Sequence, residues 1–379
     1  MPGLEKAGRF DIADIVRSHR AALESSCPLS TKQRRVLDDI ERCRTAALGG
    51  HLDRCTECDY EKPAYNSCRN RHCPKCQALA QEKWIAAQEE RTLDVSHFHV
   101  VFTLPEELRS LARFAPRVVY EALFHAASRT LLEFGERRGM TIGATLVLHT
   151  WTRDLRFHPH VHCIVSGGGL SRDKQRWIST SRNYLFPVEA MAVVFRTKML
   201  DELRAGYRGD DFARFDDFAD PEAFDNLVRK LAKIDWHLYA KRSFAKAAHV
   251  IKYLGRYTHR VGLSSSRLLA VDAHAITFRT KALGKATVTP VELLRRFVLH
   301  VLPDRFHKIR HVGLNASRDK RALVRFLLGL ATPIVRVVSW HQHLLELTGR
   351  DTTRCPTCHA RIIRIPLMRT RDPPPVGTS

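Results

Sequence analysis

The sequence predicts an α+β protein preceded by a metal-held amino-terminal module. Three observations carry that prediction. Runs rich in β-branched residues with strand alternation, SHFHVVFTLP, TIGATLVLHTW and HPHVHCIVSGGGL, are separated by long segments whose apolar residues recur at helical spacing. The last two runs are joined by a short loop and read as a hairpin. Five of the ten cysteines fall between Cys55 and Cys76, in a stretch too poor in apolar residues to build a core.

Charge narrows the partners. With 62 Lys+Arg against 40 Asp+Glu, the net charge is +22 and the pI is near 10.0, so an extended polyanion, nucleic acid or an anionic membrane, is the natural partner. No apolar run approaches the ~18 residues that span a bilayer, and MPGLEKAGRFD lacks the apolar centre of a secretory signal. The expectation is a cytoplasmic protein bound to nucleic acid. At 379 residues the chain divides by composition into 1–92, a helical lead-in with the metal module; 93–335, the main domain; and 336–379, a tail.

Within 1–42, Ile12, Ile15 and Val16, then Val36, Leu37 and Ile40, are spaced for helices. From Cys43 onward metal must replace a core. Cys55-x-x-Cys58 and Cys73-x-x-Cys76, fourteen residues apart, are the two knuckles expected to close a tetrahedral zinc site. Cys43, His51, Cys68 and His72 form a second set of ligand types, candidates for a second zinc. Arg69, Arg71 and Lys75 lie among these ligands and are expected to face phosphates. QALAQEKWIAAQEERTL then reads as a linking helix.

The main domain opens with the strand SHFHVVFTLP. A helical segment follows, then the hairpin, whose second strand is expected to stop at Gly167-Gly168-Gly169. Residues 186–250 read mainly as helix, with a solvated acidic insertion, GDDFARFDDFADPEAFD. LLAVDAHAITFRTK and KATVTP read as a hairpin, and VELLRRFVLHVL as a helix. Residues 305–325 carry seven Lys or Arg and one Asp, a plausible phosphate-contacting surface. In the tail, Cys355-x-x-Cys358 is half a zinc site whose other ligands are sought in His359 or in His341 and His343. Residues 372–379 read as disordered.

The chemistry concentrates in two stretches. Strand side chains alternate, so His160 and His162 point the same way and can share a divalent ion through neutral nitrogens. In the hairpin His149 lies beside them and is the first candidate for a third ligand. His158 has the right parity but is followed by Pro159, and ranks second. His97-Phe98-His99 is a lower-ranked rival. Between Lys241 and Arg260 there are six Lys or Arg and no acids. There Tyr253 and Tyr257, four apart, share one helix face. A tyrosine can act as a nucleophile, and Lys252, Arg256 and Arg260, with Lys308 and Arg310, are candidates to hold a phosphodiester.

Together, HVVFTLP, HPHVHCIVSGGGL and KYLGRYTHR resemble the His-hydrophobic-His single-strand nucleases, specifically rolling-circle transposases of the insertion sequence ninety-one family. CRTAALGGH and SCRNRHCPKC resemble that family's zinc-binding domain. The resemblance runs from about Cys43 to about Ser317. It implies an antiparallel sheet flanked by helices, structural Zn2+ on Cys55, Cys58, Cys73 and Cys76, a catalytic Mg2+ or Mn2+ on His160 and His162, and nucleophilic Tyr253 and Tyr257. The implied substrate is single-stranded DNA at transposon ends and target, cleaved and rejoined through a 5′-phosphotyrosine. A rolling-circle replication initiator would use the same catalytic motifs. A non-enzymatic zinc regulator would leave the histidine and tyrosine pairs unexplained.

Overall fold

The computed structural model describes residues 10–181, 183–212, 215–218, 220–242, 251, 255, 263–280, 283–332, 339–349 and 351–369. Two helices open the chain, α1 (Ile12–Ser26) and α2 (Thr31–Arg42), followed by the strands β1 (Gly50–Cys55) and β2 (Glu61–Tyr65) and by α3 (Ala78–Arg91). Next come β3 (His97–Thr103), α4 (Arg109–Phe114), α5 (Pro116–Arg137), β4 (Met140–Trp151), β5 (Phe157–Ser171) and β6 (Trp177–Ser179). The order continues with α6 (Val188–Arg208), α7 (Pro221–Lys233), β7 (Leu238–Arg242), β8 (Leu268–Val271), β9 (Ile276–Arg279) and β10 (Lys285–Val288). It closes with α8 (Pro290–Val298), β11 (Ile309–Gly313), α9 (Arg318–Leu327), α10 (Trp340–Thr348) and β12 (Ile362–Leu367).

The fold is therefore α+β, with an antiparallel main sheet in the order β11-β4-β5-β3-β7. Alternation sorts its two faces. Phe98, Val100 and Phe102 of β3, Leu146 and Leu148 of β4, and Val161, Cys163 and Val165 of β5 turn toward α5 and α6 and form the largest apolar cluster. Phe102 packs on Phe195 of α6 with ring centroids 4.8 Å apart, and truncating such a buried ring costs about 3–5 kcal/mol. The opposite face carries the histidines. One wall of that face is α3, through Ile85.

Several local expectations change. The glycines do not stop β5, which runs on to Ser171. A Cβ on Gly169 would sit 2.5 Å from the Thr141 carbonyl oxygen, so the missing side chain lets β4 and β5 approach closely there instead. Pro116 divides the helical run after β3 at the first turn of α5, where its absent N–H costs nothing. The strand β7 was hidden within a stretch read as helix. The expected later hairpin is a three-stranded sheet, β10-β9-β8.

Contacts also cross the linear divisions. Ile12, Ile15, Val16, Val36, Leu37 and Ile40 are all buried, and they share one cluster with Leu268, Ile276, Phe278, Leu293 and Phe297. The tail strand β12 pairs with β1 over six residue pairs, giving a sheet in the order β12-β1-β2. No described helix is long and apolar enough to cross a membrane.

Candidate active site

Strand register builds the site. His149 of β4 lies opposite His160 of β5, and Val147 opposite His162, so the three imidazoles share one face. One ring nitrogen from each of His149, His160 and His162 lies within 4.8 Å of the others, and His160 Nε2 is 3.1 Å from His162 Nε2. The far nitrogens are oriented separately. His160 Nδ1 donates to the His158 carbonyl at 2.7 Å, which leaves its Nε2 lone pair toward the cluster. His162 Nδ1 is 2.7 Å from His99 Nε2.

The hairpin thus brings His149, and not the ring of His158, into the cluster. His158 contributes its carbonyl. The rival pair divides: His97 Nδ1 bonds the Val95 carbonyl at 2.8 Å, whereas His99 supports His162 from the neighbouring strand. Sequence reasoning missed that supporting role. Its signal was the parity of His99 on a strand paired with β5.

Burial sets the protonation. It pushes His160 down to about 4 and holds His149 and His162 well below the usual histidine range, with neighbouring imidazoles adding smaller effects. All three rings are neutral at pH 7 and offer lone pairs. Three neutral nitrogens suit Mn2+ and other transition ions better than Mg2+, which prefers oxygen.

The same face carries an apolar patch beside the histidines: Ile85 of α3, Val147, Ile164 and Ile251. Ile251 and Gly255 are helical and buried, and Gly255 lies so close to α3 that a Cβ would fall 2.7 Å from Ile85 Cγ1. Tyr253, Tyr257, Lys252, Arg256 and Arg260 lie outside the described residues.

The other basic candidates separate. Lys308 is near enough to His149 for its charge to depress that ring, and burial pushes its own ammonium down to about 7. Arg310 lies on the opposite, helix-covered face, 2.6 Å from Glu121 and stacked over Phe124. It is engaged by Glu121 and Phe124 rather than directed toward the histidines. Arg71 donates to the Phe306 and Pro303 carbonyls at 2.6 and 3.0 Å, and Lys75 pairs with Asp11 at 2.5 Å. Neither is left to face phosphates.

The cysteines also partition differently from the expected arrangement. Cys43, Cys68, Cys73 and Cys76 form one cluster, and Cys55, Cys58, Cys355 and Cys358 another. The two amino-terminal knuckles do not share a site, because the β1–β2 hairpin carries Cys55 and Cys58 to its turn while Cys43 and Cys68 stay at its open end. His51 Nε2 instead meets Asp53 at 3.3 Å. Both ring nitrogens of His72 are taken, by Asn70 Oδ1 at 3.0 Å and by the Leu302 N–H at 3.1 Å. His341 Nδ1 meets Thr352 Oγ1 at 2.8 Å, and His359 joins neither cluster.

In the first cluster Cys68 and Cys76 Sγ are 3.7 Å apart, close to the ~3.8 Å edge of a tetrahedron with Zn–S near 2.3 Å. Hydrogen bonds from Cys68 and Cys73 pull the Cys43 thiol down to about 7. Four sulfur donors at this spacing fit structural zinc.

Comparison with known proteins places both halves of the chain. A family described as "Transposase zinc-binding domain" matches residues 15–104, and one described as "Putative transposase" matches residues 143–322. "Putative transposase y4qJ" of Sinorhizobium fredii (strain NBRC 101917 / NGR234) is 40% identical over 369 residues, covering 92% of this chain and 93% of that protein. The chain belongs to the insertion sequence ninety-one family of transposases. The "Transposase for insertion sequence element IS801" of Pseudomonas savastanoi pv. phaseolicola is 28% identical over 346 residues, 85% of this chain and 80% of that protein. No solved structure matches this transposase. The first cysteine cluster lies wholly within the span matched by the zinc-binding domain. The histidine cluster and β11 lie within the transposase match.

Proposed function

We propose that this transposase cleaves and rejoins single-stranded DNA at transposon ends through a 5′-phosphotyrosine, the chemistry of rolling-circle transposition. The observation that carries the reading is one sheet face holding three neutral imidazoles, with Ile251, two residues before Tyr253, in the apolar cluster on that same face and Gly255, two residues after it, against Ile85 of that cluster. A divalent ion held by His149, His160 and His162 would polarise the scissile phosphate.

The protein's own groups do the rest. His99 and the His158 carbonyl fix the imidazole orientations. A tyrosine phenol oxygen, from Tyr253 or Tyr257, attacks phosphorus in line as the P–O3′ bond breaks; the phenol proton is lost and the departing 3′-oxygen gains one. The link left is a 5′-phosphotyrosine beside a free 3′-hydroxyl. The other tyrosine repeats the step on a second strand, and a 3′-hydroxyl attacking a phosphotyrosine reseals DNA with no external energy source. Lys308, whose charge is felt at His149, would contact the phosphate. At the sheet edge Tyr239 pairs with Val101, itself paired with His162, so its ring lies on the histidine face. It is 53% exposed, a surface on which an unpaired base can stack.

The relatives' names favour a transposase over a replication initiator or a regulator. The test is incubation of the protein and Mn2+ or Mg2+ with single-stranded oligonucleotides from both flanks of its gene, resolved on a denaturing gel. A covalent adduct is expected. The double variant Tyr253→Phe, Tyr257→Phe should lose it while still binding DNA, and retained cleavage there would overturn the nucleophile assignment.

A further inference from the structure

The matched zinc-binding domain ends at residue 104, yet the second cysteine cluster takes half its donors from the far end of the chain. Cys55 ends β1 and Cys58 sits in the turn that follows it; Cys355 and Cys358 sit in the turn that leads into β12. Cys55 and Cys358 Sγ are 3.3 Å apart, Cys58 and Cys355 3.7 Å, and Cys58 and Cys358 3.5 Å. These separations are far too long for disulfides of about 2.05 Å and approach the ~3.8 Å edge of a tetrahedral zinc–thiolate site.

The two turns are built alike. In the first, the Cys55 N–H bonds the Tyr60 carbonyl at 3.0 Å and the Glu57 N–H donates to Cys55 Sγ at 3.3 Å. In the second, the Cys355 N–H bonds the Ala360 carbonyl at 2.8 Å and the Thr357 N–H donates to Cys355 Sγ at 3.4 Å. Each turn closes on the fifth residue after its first cysteine, and each aims the second following amide at that sulfur. Charge-assisted N–H bonds of this kind favour a thiolate. The turns are also joined directly, by the Thr56 N–H to the Arg361 carbonyl at 3.2 Å, and by the β1–β12 ladder.

We infer that Cys55, Cys58, Cys355 and Cys358 bind a second structural zinc, forming a ribbon whose two knuckles come from opposite ends of the chain and clamp the carboxyl-terminal strand onto the amino-terminal module. No residue of the main sheet supplies a ligand to this clamp.

Cobalt substitution of the full chain tests the assignment, because thiolate-to-cobalt charge-transfer absorption counts sulfur sites and is blind to the histidine cluster. The wild type should take up two thiolate-bound cobalt equivalents, and the double variant Cys355→Ser, Cys358→Ser one, halving that absorption. If the double variant does not fold, Cys358→His preserves four donors. It should keep two equivalents, with the ligand-field bands of one shifted to shorter wavelength. A wild type with one thiolate equivalent, a double variant with both, or an unshifted Cys358→His spectrum would each overturn the split site.

Discussion

Gly255→Ala should cripple strand cleavage while changing stability little. The added methyl would lie 2.7 Å from Ile85 Cγ1 and 2.8 Å from Ile85 Cδ1, where ordinary carbon contacts are about 3.5–4.0 Å. Ile85 is buried against Val147, Ile164 and Ile251, so it cannot swing freely away. Either it or the Gly255 backbone must give by about 1 Å. Alanine gains about 1 kcal/mol over glycine in a helix, against about 1–3 kcal/mol for overpacking. The net loss of stability is thus between nothing and about 2 kcal/mol. Catalysis is less forgiving: a displacement of about 1 Å near the reacting groups can lower a rate ~100-fold, about 2.7 kcal/mol of barrier. The assay pairs single-turnover adduct formation on an oligonucleotide with urea unfolding. Adding Ile85→Ala removes both clashing atoms and should restore part of the rate, a coupling that two independent sites would not show. A Gly255→Ala protein that cleaves at the wild-type rate and unfolds at higher urea would refute the packing argument.

Other outcomes follow from the histidines. His149→Ala should abolish Mn2+ binding measured by calorimetry, whereas His158→Ala, which keeps its carbonyl, should retain it; the reverse pattern would exchange the two residues. His99→Ala frees His162 to turn and should weaken the same binding by about 10–100-fold, with His99→Gln recovering part of it; an unchanged affinity would remove His99 from the site. Burial pushes His97 and His300 down to about 4 from the ordinary 6.5. Below pH 6.5 the unfolded chain therefore takes up protons that the folded chain refuses until about pH 4. Stability should fall as pH drops through that window, by up to about 3 kcal/mol per ring, and these rings should contribute no change above it. Urea unfolding free energies that stay level between pH 7.5 and 4.5 would contradict this.

What was legible in the sequence is what short-range periodicity encodes. Period-two alternation put His160 and His162 on one face, and the short loop before them brought His149 alongside, because a hairpin's register follows from local chain. The amino-terminal helices were equally plain, because the apolar residues at helical spacing are the buried ones; the capping box of Ser30 and Gln33 came only with the structure. Long-range pairing was not legible. Nothing local tells Cys55 that its partners are Cys355 and Cys358, and two adjacent C-x-x-C pairs invite the wrong match. Arg310 and Arg71 looked like phosphate ligands because sequence reports charge but not the carboxylate or carbonyl that occupies it. The strand β7 was hidden because LYAKR has too few residues to set a period and runs into the basic stretch before Tyr253.

The pairing of β1 with β12 also orders events during synthesis. When β1 and β2 leave the ribosome, one edge of β1 and the thiols of Cys55 and Cys58 have no counterpart, and about 300 residues must follow before Ile362–Leu367 arrives. At roughly 5–20 residues per second the wait is on the order of 15–60 s. An open strand edge held that long is a template for pairing with another nascent chain. A product that ends between Ser171 and Cys355 keeps that edge exposed for good, so such a prematurely terminated copy of this protein is sticky through its first fifth while its histidine hairpin is already complete.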